Sequence, residues 1–123
     1  MREIERVVRQ HPDDVALRLE AARILSGAGS ETAAIQHLEL ALERAPGNPE
    51  ISVLIGEIEQ RRGNAADAYV SFLRAVALDP DDVRAVSGLA LTAEAMGFDA
   101  EAESAYERWS ALTNEAPPAA ARE

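Results

Sequence analysis

The chain of 123 residues contains no cysteine and no lysine, and each absence excludes a class of site. Without cysteine there can be no disulfide and no thiolate metal site, although nothing follows about the redox compartment. Without lysine there can be no phosphate-binding loop of the type that ends in Gly-Lys. Only two histidines are present, and His37 has no acid and second histidine at metal-ligand spacing. We therefore predict no catalytic residue, no metal and no cofactor, and a protein that is not an enzyme.

Long apolar runs are also missing. No stretch approaches the ~20 apolar residues that cross a bilayer, and the first residues, MREIERVVRQHPDD, are charged where a signal peptide requires an apolar segment. These features predict a soluble, cytoplasmic protein. No segment shows the strict alternation of a β-strand, whereas apolar residues recur at helical spacing. The predicted fold class is therefore all-α.

Basic residues are scarce relative to acidic ones, with 12 arginines against 22 acids and a formal net charge of −10. Residues 15–48 carry three arginines and four acids, residues 49–82 three and seven, and residues 83–116 two and six. A surface this negative repels phosphate backbones and anionic lipids, so we expect no nucleic acid and no membrane as partner. The acidity has two open interpretations, solubility and electrostatic steering of a basic partner.

Four series of similar residues recur with a period of 34. They are Pro12, Pro46 and Pro80; Gly29, Gly63 and Gly97; Ala34, Ala68 and Ala102; and Leu38, Phe72 and Tyr106. A proline ends a helix, and the capping residue two positions later starts the next one, as with Asp14, Asn48 and Asp82. Each glycine suits the left-handed end of a helix, with Ser30, Asn64 and Asp99 as candidate caps for the helix that follows. The repeating unit is thus predicted to be a pair of antiparallel helices.

This pattern resembles the tetratricopeptide repeat, most clearly in the second unit, which holds Ile55-Gly56, Ala68, Phe72 and Pro80 in the motif positions. The resemblance implies a right-handed superhelical solenoid of three helix-turn-helix repeats. Because Pro12 aligns with Pro80, a lone N-terminal helix is expected before them. The predicted organisation is one domain, 1–116, with a half repeat (1–14), three repeats (15–48, 49–82 and 83–116) and a flexible tail or linker (117–123).

The resemblance also implies that the first helices of the repeats line a concave groove, which holds a peptide or helix of a partner protein. Helical geometry selects the residues that face this groove: Leu19, Arg23, Val53, Glu57, Gln60, Arg84, Ser87, Leu91 and Glu94, with Glu50 on the same face. Leu19, Val53 and Leu91 are predicted to form an apolar seam between charged side chains. Such a seam favours an amphipathic or extended segment.

Members of the family that bind chaperone tails hold the terminal carboxylate with basic and amide side chains. The matching positions here are Leu19, Arg23, Leu54, Arg84 and Gly88, and only Arg84 is basic where that clamp requires it. We therefore predict that the chain does not recognise chaperone tails.

Two further hypotheses stay open beside the interaction module. The chain can be the recruiting segment or adaptor of a larger enzyme, such as an AAA-type ATPase, with APPAAARE as the start of a linker to a further domain. It can also self-associate through uncapped terminal faces, where Tyr106, Trp109 and Leu112 follow one another at helical spacing. The alternative for that terminus is that Trp109 folds back and covers its own helix.

Overall fold

The computed structural model describes residues 2–116, and this range contains seven α-helices and no strand. Their bounds are α1 Arg2–Gln10, α2 Val15–Gly27, α3 Glu31–Arg44, α4 Pro49–Arg61, α5 Ala65–Leu78, α6 Val83–Ala95 and α7 Asp99–Thr113. The predicted order of one helix and three helical hairpins is confirmed. None of these helices is long and apolar enough to span a membrane. The predicted tail, 117–123, lies outside the described residues.

Side-chain caps start the first helix of each hairpin. Asp14 accepts a hydrogen bond from the Leu17 amide at 3.1 Å, and Asp82 accepts one from the Ala85 amide at the same distance. Asn48 caps α4 by accepting from the Glu50 amide at 3.0 Å, and Pro49 occupies the first helical position. Each cap satisfies one otherwise unpaired amide, which stabilises the helix by ~1 kcal/mol.

The turn inside each hairpin is built on a glycine with positive φ, between 80° and 84° at Gly29, Gly63 and Gly97. The next residue donates its amide to a carbonyl five residues earlier, as Ser30 does to Leu25 at 2.8 Å. This is the Schellman arrangement, and it is present in all three hairpins.

The caps predicted after these glycines are corrected by the structure. Ser30 and Asn64 stand at the N-cap positions of α3 and α5 but make no side-chain cap hydrogen bond. In the third hairpin Phe98 takes the N-cap position, and Asp99 is already inside α7. The Schellman turn fixes ψ at 63° to 71° here, against 100° to 110° at Asp14, Asn48 and Asp82. The backbone therefore lacks the extended geometry that aims a cap side chain at the following amides.

The core is a series of packed layers that runs from hairpin to hairpin. One cluster joins α2, α3 and α4, a second joins α5, α6 and α7, and a small third cluster of Val53, Ala75 and Ala85 connects them. The alanines of the 34-residue series, Ala34, Ala68 and Ala102, are buried where the two helices of a hairpin meet. Their small side chains allow the helix axes to approach closely.

Helix α4 lies in the middle of the stack and is buried on almost every side. All six residues from Ile51 to Gly56 are buried, as is Ile58. An ordinary surface helix buries one stripe only. Because α4 packs on its own partner α5, on the preceding α3 and on the following α6, little of its surface is left for a ligand.

Phe72 of α5 fills the junction between the second and third hairpins. A β-carbon added to Gly56 would lie 2.9 Å from the Phe72 ring, and one added to Gly88 would lie closer still. The ring therefore occupies space that two glycines leave open, one on α4 and one on α6. At the junction between the first and second hairpins the equivalent positions hold the smaller Leu38 with Ala22 and Leu54, all members of one cluster.

Candidate partner-binding surface

A row of ion pairs crosses the face formed by α2, α4 and α6, the first helices of the three hairpins. Arg23 of α2 lies 3.2 Å from the Glu50 carboxylate of α4, and Arg84 of α6 lies 3.2 Å from the same carboxylate. Arg84 also pairs with Glu57 of α4 at 2.5 Å. We call these four residues the charge ladder, because they link three successive helices.

The 34-residue period explains the geometry of the charge ladder. Arg23 and Glu57 are 34 residues apart, as are Glu50 and Arg84, so each pair takes equivalent positions on neighbouring helices. Glu50 and Glu57 are seven residues apart, which places them two turns apart on one face of α4. Glu50 and Arg84 therefore meet at equivalent positions, while Arg23 reaches Glu50 and Arg84 reaches Glu57, each two turns away from the equivalent position on α4.

The Arg84 guanidinium is held tightly by this arrangement. Its pKa is raised, mainly because it donates hydrogen bonds to Glu57, and the negative charges of Glu57 and Glu50 add to the effect while partial burial opposes it. The ladder thus engages the positive charge of Arg84 with two carboxylates. This engagement leaves less of that charge for an acidic ligand.

A cleft of about 190 Å³ opens between α2 and α4. Glu57 and Arg61 line it from α4, and Arg61 reaches across the gap to pair with Glu31 at 3.4 Å and to donate to the Ser26 hydroxyl. The full lining is Ala22, Arg23, Ser26, Gly27, Leu54, Glu57, Ile58 and Arg61.

A second cleft, of about 230 Å³, opens between α4 and α6. Its lining is Glu57, Gln60, Phe72, Val83, Arg84, Ser87, Gly88, Leu91 and Trp109. Five of the predicted groove residues therefore share this cleft. Glu57 lines both clefts and so makes them neighbours on one face.

The predicted groove residues are only partly brought together. Arg23 joins Glu57 in the first cleft, while Gln60, Arg84, Ser87 and Leu91 line the second. Glu94 is half-buried and lines neither cleft.

The predicted apolar seam is wrong as drawn from the sequence. Val53 is fully buried and Leu19 is 9% exposed, so both belong to the core, whereas Leu91 is 44% exposed. Val53 packs with Ala75 and Ala85, because α4 is covered on both sides by its neighbours. Only Leu91 of the three presents a large apolar side chain to solvent.

The C-terminal face also differs from the prediction. Tyr106 is 5% exposed and belongs to the core cluster with Phe72 and Leu89, so it is not part of a terminal surface. Leu112 is half-buried, and Trp109 is half-buried against the second cleft. Trp109 takes the position of Ala75 one repeat later, and that shared position is the sequence signal that places it beside α6.

Within residues 2–116 no group of three or more histidine, aspartate and glutamate side chains is placed to hold a metal ion. The acids around Pro80 have structural roles instead. Asp82 caps α6, Asp79 accepts a hydrogen bond from the Asp81 amide at 3.1 Å, and Asp81 pairs with Arg108 at 3.0 Å. The face formed by α2, α4 and α6 therefore offers a ligand two clefts, charged side chains and the exposed Leu91.

The architecture is that of an all-α tetratricopeptide-repeat solenoid. Residues 2–49 match the family model of the tetratricopeptide repeat, so the family's sequence pattern is found directly in this part of the chain and its fold is found across the described range. The recognition made from the 34-residue period is confirmed. No curated protein sequence matches the chain.

Two solved structures illustrate the likeness. A crystal structure of MamA superposes with a TM-score of 0.85 at 22% sequence identity, over 92% of this chain and 66% of the MamA chain. The first tetratricopeptide-repeat domain of Spaghetti (RPAP3), bound to the HSP90 peptide SRMEEVD, superposes with a TM-score of 0.78 at 22% identity, over 88% of both chains. This chain thus spans just under two thirds of MamA.

Proposed function

We propose that this chain is a non-catalytic protein-interaction module, which binds a peptide or helix of a partner protein on the face formed by α2, α4 and α6. The observation that carries this proposal is the pair of adjoining clefts on that face. They bring together Arg23, Glu57, Gln60, Arg84, Ser87 and Leu91 from three helices. The RPAP3 domain, which has the same fold, binds a peptide.

The charge ladder bears on which peptide is bound. Arg84 is paired with both Glu50 and Glu57, so a terminal carboxylate would have to displace two carboxylates already in place. Exposed Leu91, in contrast, offers an apolar contact beside Gln60 and Ser87. The proposed ligand is therefore an amphipathic or extended segment with an apolar anchor for this cleft, rather than an acidic chaperone tail.

A matched pair of surface variants tests this proposal. Leu91 and Leu40 are each 44% exposed, but Leu40 lies on α3 and lines neither cleft. Proteins captured from lysate by the unmodified chain are quantified by mass spectrometry and compared with those captured by Leu91→Arg and by Leu40→Arg. We expect the specific partner to be lost with Leu91→Arg and retained with Leu40→Arg, while the helical content measured by circular dichroism stays unchanged.

Two results would contradict the groove. One is undiminished capture by Leu91→Arg, and the other is equal loss with both variants. The second result would mean that the partner binds another surface, or that capture depends on the total exposed apolar area of the chain.

A further inference from the structure

A third cleft lies on a different side of the molecule, between α5 and α7, the second helices of their hairpins. Its volume is about 430 Å³, larger than either cleft on the α2, α4 and α6 face and within the roughly 300–1,000 Å³ range typical of ligand pockets. Its lining is Val76, Val86, Leu89, Glu101, Ser104, Ala105, Glu107, Arg108 and Ala111.

The bottom of this α5–α7 cleft is apolar. Val86 and Leu89 of α6 are buried, and Val76 of α5 is half-buried beside them. Ala105 and Ala111 add small side chains from α7, so the cleft stays open between the two flanking helices. An aliphatic side chain placed here would lose water-exposed surface against existing core residues.

The rim is negative, because its one basic group is already neutralised. Arg108 donates from Nε to the Pro80 carbonyl at 2.7 Å and pairs with Asp81 at 3.0 Å. Glu107 is exposed and makes no ion pair with any residue of the described range. Glu101 accepts a hydrogen bond from the Tyr69 hydroxyl, at 2.7 Å to each carboxylate oxygen, which leaves its charge uncompensated.

The combination of an apolar floor and two uncompensated carboxylates does not recur at the equivalent positions nearer the N-terminus. Between α1 and α3 the position of Val86 holds Arg18, which lies 3.2 Å from His37. Between α3 and α5 the position of Glu107 holds Leu73. The feature is therefore specific to the third hairpin and is not a by-product of the repeat.

We propose that the α5–α7 cleft is a second docking surface, which binds a basic amphipathic helix of a partner protein. Aliphatic side chains of that helix lie on Val76, Val86 and Leu89, and its arginine or lysine side chains pair with Glu101 and Glu107. The charge of the cleft identifies the partner. An acidic helix would place like charges against both carboxylates, and a neutral helix would remove water from them without supplying an opposite charge. This site is independent of the groove on α2, α4 and α6.

The test uses two synthetic helical peptides as probes. Both peptides carry leucine at positions i, i+3, i+4 and i+7. At their charged positions one peptide has only arginine and the other has only glutamate. Binding is measured by fluorescence anisotropy on the full chain, and the contact surface is mapped by amide chemical-shift changes. We expect the arginine peptide to bind, with the largest shifts in α5 and α7, and the glutamate peptide not to bind.

Matched variants separate the cleft from general charge. Glu107→Arg reverses a rim charge, and Glu39→Arg makes the same change at the exposed, equivalent position of α3. Likewise Ala111→Trp fills the cleft, whereas Ala77→Trp adds the same bulk at the exposed equivalent position of α5. We expect Glu107→Arg to weaken binding about five- to tenfold, Ala111→Trp to weaken it further, and both control variants to change it less than about twofold.

Several results would overturn the proposal. They are equal binding of the two peptides, chemical-shift changes confined to α2, α4 and α6, and equal effects of each variant and its control. Sedimentation of the chain alone covers the remaining occupant: a dimer that Ala111→Trp abolishes would show that a second copy fills the cleft, and this too would overturn the proposal.

Discussion

The two junctions between hairpins use the same positions of the repeat with opposite choices of side-chain size. Where the first hairpin meets the second, Leu38 and Leu54 belong to one cluster. Where the second meets the third, the larger Phe72 lies against Gly88. The helices also pack more extensively at the second junction, and α4 contacts α6 more closely than α2 contacts α4.

This difference indicates that the two junctions keep the combined volume of the two facing side chains similar, and do not keep the same residue at each position. A large ring on α5 requires an empty position on α6, and a smaller side chain on α3 requires a filled position on α4. Interiors packed at crystal-like density tolerate little departure from such a balance. Each junction also opens into a cleft on the face formed by α2, α4 and α6, of about 190 Å³ at the first and about 230 Å³ at the second.

Placing the first junction's residue into the second should have the largest effect. Gly88→Leu copies Leu54 and drives a side chain into the Phe72 ring, so we expect a loss at or above the upper end of the roughly 1–3 kcal/mol typical of overpacking. Adding Phe72→Leu recreates the Leu38 and Leu54 pair and should restore most of the free energy of unfolding, measured in urea. Additive losses in the double variant would refute the shared-volume explanation.

The helix caps should respond equally at the two junctions. Asn48 caps α4 and Asp82 caps α6 at nearly the same distance, 3.0 and 3.1 Å. We therefore expect Asn48→Ala and Asp82→Ala each to lower the unfolding free energy by about 1 kcal/mol. A large difference in urea unfolding would mean that the junctions differ in more than side-chain volume.

The charge ladder should contribute less, and unequally. Arg84 pairs with two carboxylates at 2.5 and 3.2 Å, whereas Arg23 has Glu50 at 3.2 Å and Glu20 at 3.8 Å. Since both arginines are about half exposed, we expect Arg84→Met to lose up to ~1 kcal/mol and Arg23→Met clearly less. Unfolding at low and at high salt checks this, because screening should shrink both losses. Losses that do not change with salt would argue against an electrostatic origin.

The smallest expected effect is a pH dependence of the unfolding free energy that comes from His37, which lies in the first hairpin. Burial, and next the Arg18 guanidinium, lower the pKa of His37 below its ordinary 6.5, while Glu5 opposes the shift. His37 therefore binds a proton more tightly in the unfolded chain than in the folded one. The stability that the neutral His37 contributes is complete above about pH 6.5 and is lost as the pH falls towards the pKa of His37 in the folded chain. His37→Ser, which copies Ser71 of the second hairpin, should flatten this part of the stability profile. An unchanged slope would assign it to another group.

Most of the fold was predictable because its determinants are local and repeat. Proline, glycine and the caps before α2, α4 and α6 act within a few residues, and a period of 34 repeats their positions. The wrong caps in front of α3, α5 and α7 came from treating every turn as equivalent. The Schellman geometry that the glycines impose decides the backbone there, and residue preference does not override it.

The site was less predictable, because exposure depends on neighbours that a single helix does not reveal. Helical spacing assigned Val53 to the groove, but Val53 is fully buried against Ala75 of α5 and Ala85 of α6. The charged residues Arg23, Glu57 and Arg84 were found because long polar side chains reach solvent even from a crowded face. Trp109 was assigned to the terminus from its spacing within α7 alone, whereas its equivalence with Ala75 one repeat earlier is the signal for its place beside α6.

The three hairpin glycines have a stereochemical consequence. A β-carbon at Gly29, Gly63 or Gly97 would touch nothing within 4 Å, so only the backbone angle excludes an ordinary L-residue there. A mirror-image amino acid prefers that same angle. A chemically synthesised chain with D-alanine at these turns should therefore keep its fold and gain about 0.4–1 kcal/mol at each, because its unfolded state has less freedom to lose.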